Sequence, residues 1–112
     1  MDKPKKSFAA LKKVREFFDK QPDVCQAEYL SIVETLERDG FLVEPYGKKI
    51  DSDLFEIRIR RGKQVRVIYF YHSGDLVFGV HAFIKKSQKT PLKDLKYARS
   101  IVASIKRGDY NE

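Results

Sequence analysis

The segment of residues 53–91 limits the possible folds of this chain more than any other, because apolar residues alternate in it with arginines. An alternation with a period of two predicts half-buried β-strands. We expect three strands, over residues 54–61, 64–72 and 75–84, joined by two tight turns. The third strand leads into a strongly basic stretch, FIKKSQKTP. The pattern therefore predicts a three-stranded antiparallel meander.

Burial predicts the register of this meander, since a shift by one residue exchanges its two faces. A two-residue turn at Ser73-Gly74 pairs Val67 with Val80 and Arg66 with His81. A three- or five-residue connection at 61–65 keeps arginine out of the apolar stripe. The stripe predicted to face the helices comprises Phe55, Ile57, Ile59, Val67, Tyr69, Phe78 and Val80. The opposite face is predicted to carry Glu56, Arg58, Arg60, Arg66 and His81, with Ile68, Phe70 and Phe83 among them.

Two helices are predicted before the meander. Apolar spacing indicates a first helix over residues 4–20, with Ser7 or Asp2 as its N-cap. A second helix is predicted from an N-cap at Asp23 to Gly40, which suits the end of a helix. The two form a helical hairpin, and residues 41–52 are predicted to be a connecting loop, with a short extended piece at 41–43 as an alternative.

A third helix is predicted after the meander, with Thr90 as N-cap and Pro91 as its first residue, ending near Lys106 before Gly108. Its predicted inward residues are Leu92, Leu95, Ala98, Val102 and Ile105. The expected fold is α+β: an N-terminal helical hairpin packed on a small antiparallel sheet, with a C-terminal helix. A length of 112 residues predicts a single domain over residues 1–112.

Charge is distributed unevenly along the chain. Residues 1–57 carry 10 basic and 12 acidic side chains, whereas residues 58–107 carry 13 basic side chains against only Asp75 and Asp94. This asymmetry predicts a polyanionic partner for the C-terminal half, either a nucleic acid or an acidic protein.

Composition also predicts the cellular location of the chain. It contains no apolar run of the roughly 18–20 residues that a membrane span needs, and its first residues lack the apolar core of a signal peptide. One cysteine, Cys25, cannot form an internal disulfide, which agrees with a reducing compartment. We expect a cytoplasmic protein without membrane contact.

The common catalytic and metal-binding motifs are missing from the sequence. Asp51 and Asp53 resemble half of a metal site, but two carboxylates without a third ligand are better explained as a polar loop before a strand. Cys25 is better explained as a core residue than as a nucleophile. We expect neither a metal nor a cofactor.

The charged face of the meander suits RNA, because cations hold phosphates and aromatic rings stack on bases. RNA can be cleaved by its own 2′-hydroxyl if charge is stabilised and protons are transferred. Arg58 and Arg66 are candidates for charge stabilisation, with Lys85 or Lys86 in support. His81 is the candidate acid or base, because its ordinary pKa lies near neutrality. The alternative is structural: a hydrogen-bonded histidine, and arginines paired with Glu56 on a solvated face.

The segments LFEIRIRRGKQVRVIYF and VHAFIKKSQKTP resemble the HigB-type branch of the RelE toxin superfamily, including its phage-derived relatives. The resemblance covers roughly residues 53–92, and EFFDKQP at 16–22 adds to it. Ala82 and Ser87 replace the usual glycine and threonine of the last motif. Members of the family begin with a strand, where periodicity here predicts a helix.

This resemblance implies a RelE-like fold and a type II toxin that cleaves mRNA without a metal, typically on the ribosome. Its implied partners are mRNA, the ribosome and a cognate helix-turn-helix antitoxin. Matched position by position, the implied catalytic residues are Arg58, Arg66, His81 and Lys85. Those expected to bind RNA are Arg60, Lys86, Lys89 and Phe83. The alternatives are a non-catalytic module of the same fold that binds nucleic acid or a partner, and a structural phage protein.

Overall fold

The computed structural model describes residues 3–112, which form an α+β architecture with one five-stranded mixed sheet and three helices. The elements are β1 (Ser7–Ala10), α1 (Lys12–Asp19), α2 (Asp23–Asp39), β2 (Gly47–Lys49), β3 (Phe55–Ile59), β4 (Val65–Tyr71), β5 (Leu76–Ile84) and α3 (Leu92–Arg107). The strand order is β1-β5-β4-β3-β2, with β1 parallel to β5 and the other neighbours antiparallel. The α+β prediction is confirmed, but the purely antiparallel sheet is wrong because of β1.

The helical hairpin predicted from the N-terminal half packs on one face of the sheet. Helices α1 and α2 meet through the ring of Phe18, which stacks on Tyr29 at 3.8 Å between centroids. Buried residues of both helices join those of β3 and β4 in one core cluster, which also holds Cys25 at 1% exposure. Gly40 ends α2 at a φ of 87°, in the left-handed conformation that glycine adopts freely.

Helix α3 packs on the opposite face, which the sequence predicted to expose its aromatic rings. Phe70 and Phe83 are instead buried under Ala98 and Val102 of α3. Leu92 was predicted to point inward and is 63% exposed, while Asp94 of the first turn is buried. No helix in the described part of the chain is long and apolar enough to cross a membrane.

The N-terminal segment begins with a strand, so the predicted helix over residues 4–20 is wrong in its first half. Residues of β1 pair in parallel with β5, and Ser7 donates a backbone hydrogen bond of 2.8 Å to Asp75. Ser7 therefore lies within a strand and caps no helix, and Asp2 lies outside the described residues. Pairing with an otherwise open sheet edge decides this conformation, and the partner is nearly 70 residues away in sequence.

Two predicted helix caps and one predicted loop are also corrected. Asp23 and Leu92 are the first helical residues of α2 and α3, with Pro22 and Pro91 before them. The hydroxyl of Thr90 bonds to a side chain of β3 instead of capping α3. Within the predicted loop over residues 41–52, β2 pairs with the edge of β3. Its three residues are too few to show a hydrophobic pattern.

Both hairpins of the meander have longer connections than two residues. Ile59 pairs with Val65 across a five-residue connection, one of the two lengths predicted from burial. The predicted two-residue turn after His72 is absent. The amide of His72 donates instead to the carbonyl of Leu76, across a three-residue loop. The predicted pairs of Val67 with Val80 and of Arg66 with His81 are therefore wrong.

A β-bulge in β5 offsets the change of register that the longer loop causes. Tyr69 pairs with Gly79 but Ile68 pairs with His81, so Val80 is the extra residue. Because the bulge reverses the alternation of side chains, His81 lies on the α3 side with the arginines, as predicted. Phe78 and Val80 also lie on the α3 side, whereas they were predicted to face the hairpin. Phe78 precedes the bulge and pairs with Phe70 because of the three-residue loop, and Val80 is the bulged residue itself.

The close approach of β1 to β5 at Gly79 is testable. A Cβ atom at Gly79 would lie 2.6 Å from Cζ of Phe8, so we expect Gly79→Ala to lower the free energy of unfolding by about 1–3 kcal/mol, measured by urea denaturation. Combination with Phe8→Ala should recover part of this loss. Strictly additive losses would contradict the steric explanation. As a control, Gly74→Ala has open space around it and acts only through its φ of 63°.

Candidate active site

The α3 side of the sheet carries two neighbouring rows of side chains that contain most of the predicted site. In one row, Glu56 of β3 and His81 of β5 stand on either side of β4. In the next row, Arg66 of β4 stands between Arg58 and Phe83. Directly opposed side chains on adjacent strands have Cβ atoms roughly 5 Å apart. The sheet therefore places the two arginines side by side.

Glu56 is the buried centre of this surface. Its side chain is 1% exposed, and Oε1 lies 2.6 Å from Nε of Arg66 and 3.8 Å from Nε of Arg58. The hydroxyl of Thr90 donates a hydrogen bond of 2.9 Å to Oε2. One carboxylate thus holds two like-charged groups together and connects them to the segment that precedes α3.

Arg66 is held in a nearly water-free position. Its guanidinium donates hydrogen bonds to the side chain of Gln64 and to the carbonyl of Val65, at 3.0 and 3.2 Å. Burial lowers the pKa of Arg66, and the charge of Glu56 opposes this effect. An arginine stays protonated at neutral pH even so. A charge shielded from water attracts a phosphate more strongly than an exposed one.

Lys85 is the titratable cation beside these arginines. It follows β5 directly, and its amide donates to the carbonyl of Gln64 at 2.7 Å, so the sheet pairing fixes its position. Burial lowers the pKa of Lys85, Glu56 raises it, and nearby cations, first among them Arg66, lower it again. Lys85 therefore gives up its proton more readily than a solvated lysine.

These cations line an open groove of about 510 Å³. Its lining residues are Arg58, Gln64, Arg66, Lys85, Lys86, Ser87 and Gln88. Four of them are cationic and none is acidic, while the counter-charge of Glu56 is buried behind the arginines. A groove of this charge attracts polyanions, and paired guanidinium groups suit the oxygen atoms of a phosphate.

His81 lies on the same face but is not one of the residues that line the groove. Its Nε2 atom lies 2.7 Å from Oδ1 of Asp94 in the first turn of α3, and its ring stacks on Phe83 at 5.3 Å and contacts Tyr97 at 4.8 Å. Asp94 is a site residue that the sequence did not predict. Its spacing from Ala98 and Val102, at i+4 and i+8, is the signal that places it on the inward face of the helix.

The residues predicted to bind RNA separate in the structure. Lys86 lines the groove, and Lys89 lines an adjoining cavity. Arg60 lies outside the groove, in the exposed loop between β3 and β4, where its amide donates to Glu28 at 2.9 Å. Phe83 is only 7% exposed. Most of its ring is covered, and the ring stacks on that of His81. The role of Phe83 in RNA binding stays a prediction.

Asp51 and Asp53, which resemble half of a metal site in the sequence, form ion pairs with α3. Asp51 pairs with Arg99, and Asp53 with Lys106 at 2.6 Å. The bond from Lys106 lowers the pKa of Asp53. Within residues 3–112, no three histidine, cysteine or acidic side chains are grouped so that they could hold a metal ion.

The role of Glu56 can be tested by removing its charge. We expect Glu56→Gln to lower the free energy of unfolding by about 3 kcal/mol, because it leaves the buried guanidinium of Arg66 without a counter-ion. Urea denaturation measures the change. Glu44→Gln is the matched control: Glu44 is 64% exposed and lies 3.6 Å from Arg58, so its loss should cost less than about 1 kcal/mol. Equal effects of the two substitutions would contradict this role.

Comparison with known proteins places the chain in a family. No curated protein matches it significantly. A family model described as "Phage derived protein Gp49-like (DUF891)" matches residues 16–102, more than three quarters of the chain, including β3, β4, β5 and the groove. That family belongs to the clan of RelE/HigB-like toxins and is consistent with the toxin of a toxin–antitoxin pair, which suggests an antitoxin partner. The chain belongs to the Gp49-like family of phage-derived proteins.

Proposed function

We propose that this chain is an mRNA interferase, a RelE-like toxin of a type II toxin–antitoxin system that cleaves messenger RNA on the ribosome. The observation that carries the proposal is the groove in which Arg58, Arg66 and Lys85 converge around a buried counter-ion. Membership of the Gp49-like family supports the toxin class. The proposed partners are mRNA, the ribosome and a helix-turn-helix antitoxin that holds the toxin inactive.

The groove suits cleavage by the substrate's own 2′-hydroxyl. The 2′-oxygen attacks the adjacent phosphorus, the bond from phosphorus to the 5′-oxygen breaks, and the products are a 2′,3′-cyclic phosphate and a 5′-hydroxyl. In this proposal Arg58 and Arg66 stabilise the charge that develops on the phosphoryl oxygens. Lys85 donates the proton to the departing 5′-oxygen. No metal or cofactor takes part in the proposed steps.

His81 is the proposed base for the 2′-hydroxyl, with Asp94 as its positioning residue. His81 is a diagonal neighbour of Arg66 across β4 and β5, a separation of roughly 7–8 Å between Cα atoms that long side chains bridge. If Nε2 donates its proton to Asp94, Nδ1 keeps the lone pair that can accept a proton. The carboxylate also stabilises the imidazolium that forms.

A second candidate function is a binding module of the same fold that does not cut RNA. The observation in its favour is the position of His81, whose ring is stacked between side chains and does not line the groove. In that case the groove would hold RNA through Arg58, Arg66 and Lys85 without any proton transfer.

Cleavage of mRNA separates the two candidates. We expect purified wild-type protein to cut a message, with ribosomes present, and Arg66→Ala to reduce the rate by about 10²–10³-fold because charge stabilisation is lost. Since Arg66 is also the partner of the buried Glu56, thermal melting must show that the variant is folded. Arg38→Ala, which removes an exposed arginine paired with Asp39, is the matched control and should cut normally. His81→Ala should reduce the rate by about 10²-fold or more. Primer extension locates and quantifies the cuts.

An intact message at high protein concentration, together with RNA binding that Arg66→Ala abolishes, would establish the binding module and reject the enzyme. In cells, we expect expression to arrest growth, and co-expression of the neighbouring gene to relieve the arrest. Arrest by Arg66→Ala as strong as that by the wild type would contradict the assigned site.

The pH dependence of cleavage tests the role of Lys85. Lys85 acts in its protonated form, and its pKa is lower than the ordinary value of 10.5. The rate should therefore fall with rising pH earlier than titration of a solvated lysine would cause. Lys85→Arg keeps the charge but does not titrate in this range, so its slower reaction should lack this alkaline decrease. The same decrease in Lys85→Arg would assign the proton to another group.

A further inference from the structure

The cationic groove continues past Arg58 and Lys85 into a second cavity that the sequence did not indicate. This cavity has a volume of about 310 Å³ and shares Arg58, Lys85 and Gln88 with the groove. Its other lining residues are Lys48, Lys49, Ile50, Glu56, Lys89, Thr90 and Leu95. The two spaces together are lined by seven cations and one acid, and that acid is buried.

The second cavity differs from the groove in its chemistry. The cations that it does not share with the groove are Lys48 and Lys49 of the edge strand β2 and Lys89 of the segment before α3. All three are exposed. Ile50 and Leu95 are half-buried and add apolar surface. Mobile ammonium groups over an apolar surface suit a phosphate that carries a base and a sugar, and their binding does not depend on the base sequence.

The register of the strands shows how the groove and the second cavity are arranged on the sheet. Lys48 pairs with Glu56, and the same cross-strand row continues through Ile68 to His81. Four adjacent strands span about 14 Å at roughly 4.8 Å per step. Arg58 and Arg66 lie one row away, between the two ends. A ligand that reaches from Lys48 at one end of this row to His81 at the other is longer than one nucleotide.

We propose that the cavity lined by Lys48, Lys49 and Lys89 is a second subsite, which binds the nucleotides that flank the scissile phosphate of a single-stranded RNA. This inference rests on the proposed function, because it takes RNA as the occupant of the groove. RNA is favoured over an acidic peptide because the cations continue along both spaces, as the phosphates of a strand do, and because apolar surface lies beside them.

Binding of uncleavable RNA tests the subsite. The probes are a dinucleotide and a hexanucleotide with 2′-deoxy sugars, and fluorescence anisotropy measures their dissociation constants at several salt concentrations. We expect Lys48→Ala/Lys49→Ala to weaken hexanucleotide binding about tenfold and to leave dinucleotide binding unchanged. The slope of log affinity against log salt should become shallower by about 1.4, which is two lost phosphate contacts on a single strand.

Lys5→Ala/Lys20→Ala is the matched control, because it removes two exposed lysines that line neither space and should change neither value. Thermal melting of each variant confirms that it is folded. Unchanged hexanucleotide binding by Lys48→Ala/Lys49→Ala, or equal losses for both probes, would overturn the subsite. So would a hexaglutamate peptide that binds more tightly than the hexanucleotide and depends on the same lysines.

The subsite and the enzyme can fail separately. A wild-type protein that binds the hexanucleotide through Lys48 and Lys49 but never cuts RNA keeps the subsite and loses the proposed activity. A protein that cuts RNA with the same Michaelis constant in the wild type and in Lys48→Ala/Lys49→Ala keeps the activity and loses the subsite.

Discussion

The buried contact between Glu56 and Arg66 is the interaction on which this structure depends most. Arg58 and Arg66 lie directly opposite each other on adjacent strands, a placement that is repulsive unless a counter-charge is present. Glu56 supplies that charge from the neighbouring row, and through Thr90 it also fixes the segment before α3. A buried ion pair is costly to break because each partner has lost its water. The positions of both arginines and of the segment before α3 therefore depend on one carboxylate.

The bulge at Val80 is the second constraint on the site. Before the bulge, the even-numbered residues of β5 face α3; after it, the odd-numbered residues do. His81 and Phe83 consequently share the face of the arginines, while Ala82 and Ile84 join the core under α1 and α2. Gly79 allows β1 to close the edge of the sheet beside this bulge. A small irregularity in one strand thus determines which side chains surround the groove.

The charged side chains of the N-terminal and C-terminal halves have different roles. Several acids of the N-terminal half bind backbone amides: Glu28 those of Arg60 and Arg61, and Glu37 that of Phe8. In the groove, Arg58 and Arg66 share the buried Glu56, and Arg58 also lies 3.6 Å from the exposed Glu44. The groove keeps a net positive charge, and such a charge attracts a polyanion. Membership of the Gp49-like family, within the clan of RelE/HigB-like toxins, agrees with RNA as that polyanion.

Local pattern was sufficient for the features that depend on neighbouring residues. Alternation in residues 53–91 predicted three strands and the face shared by Glu56, Arg58 and Arg66, and apolar spacing with Gly40 and Gly108 predicted the three helices and the C-terminal ends of α2 and α3. Tertiary structure decided the rest, because the interactions that stabilise these features join residues that are distant in sequence. β1 is a strand through its pairing with β5, β2 through its pairing with β3, and Phe83 is buried because α3 covers it. The partnership of His81 with Asp94, and the burial that lowers the pKa of Lys85, arise only when these elements pack together.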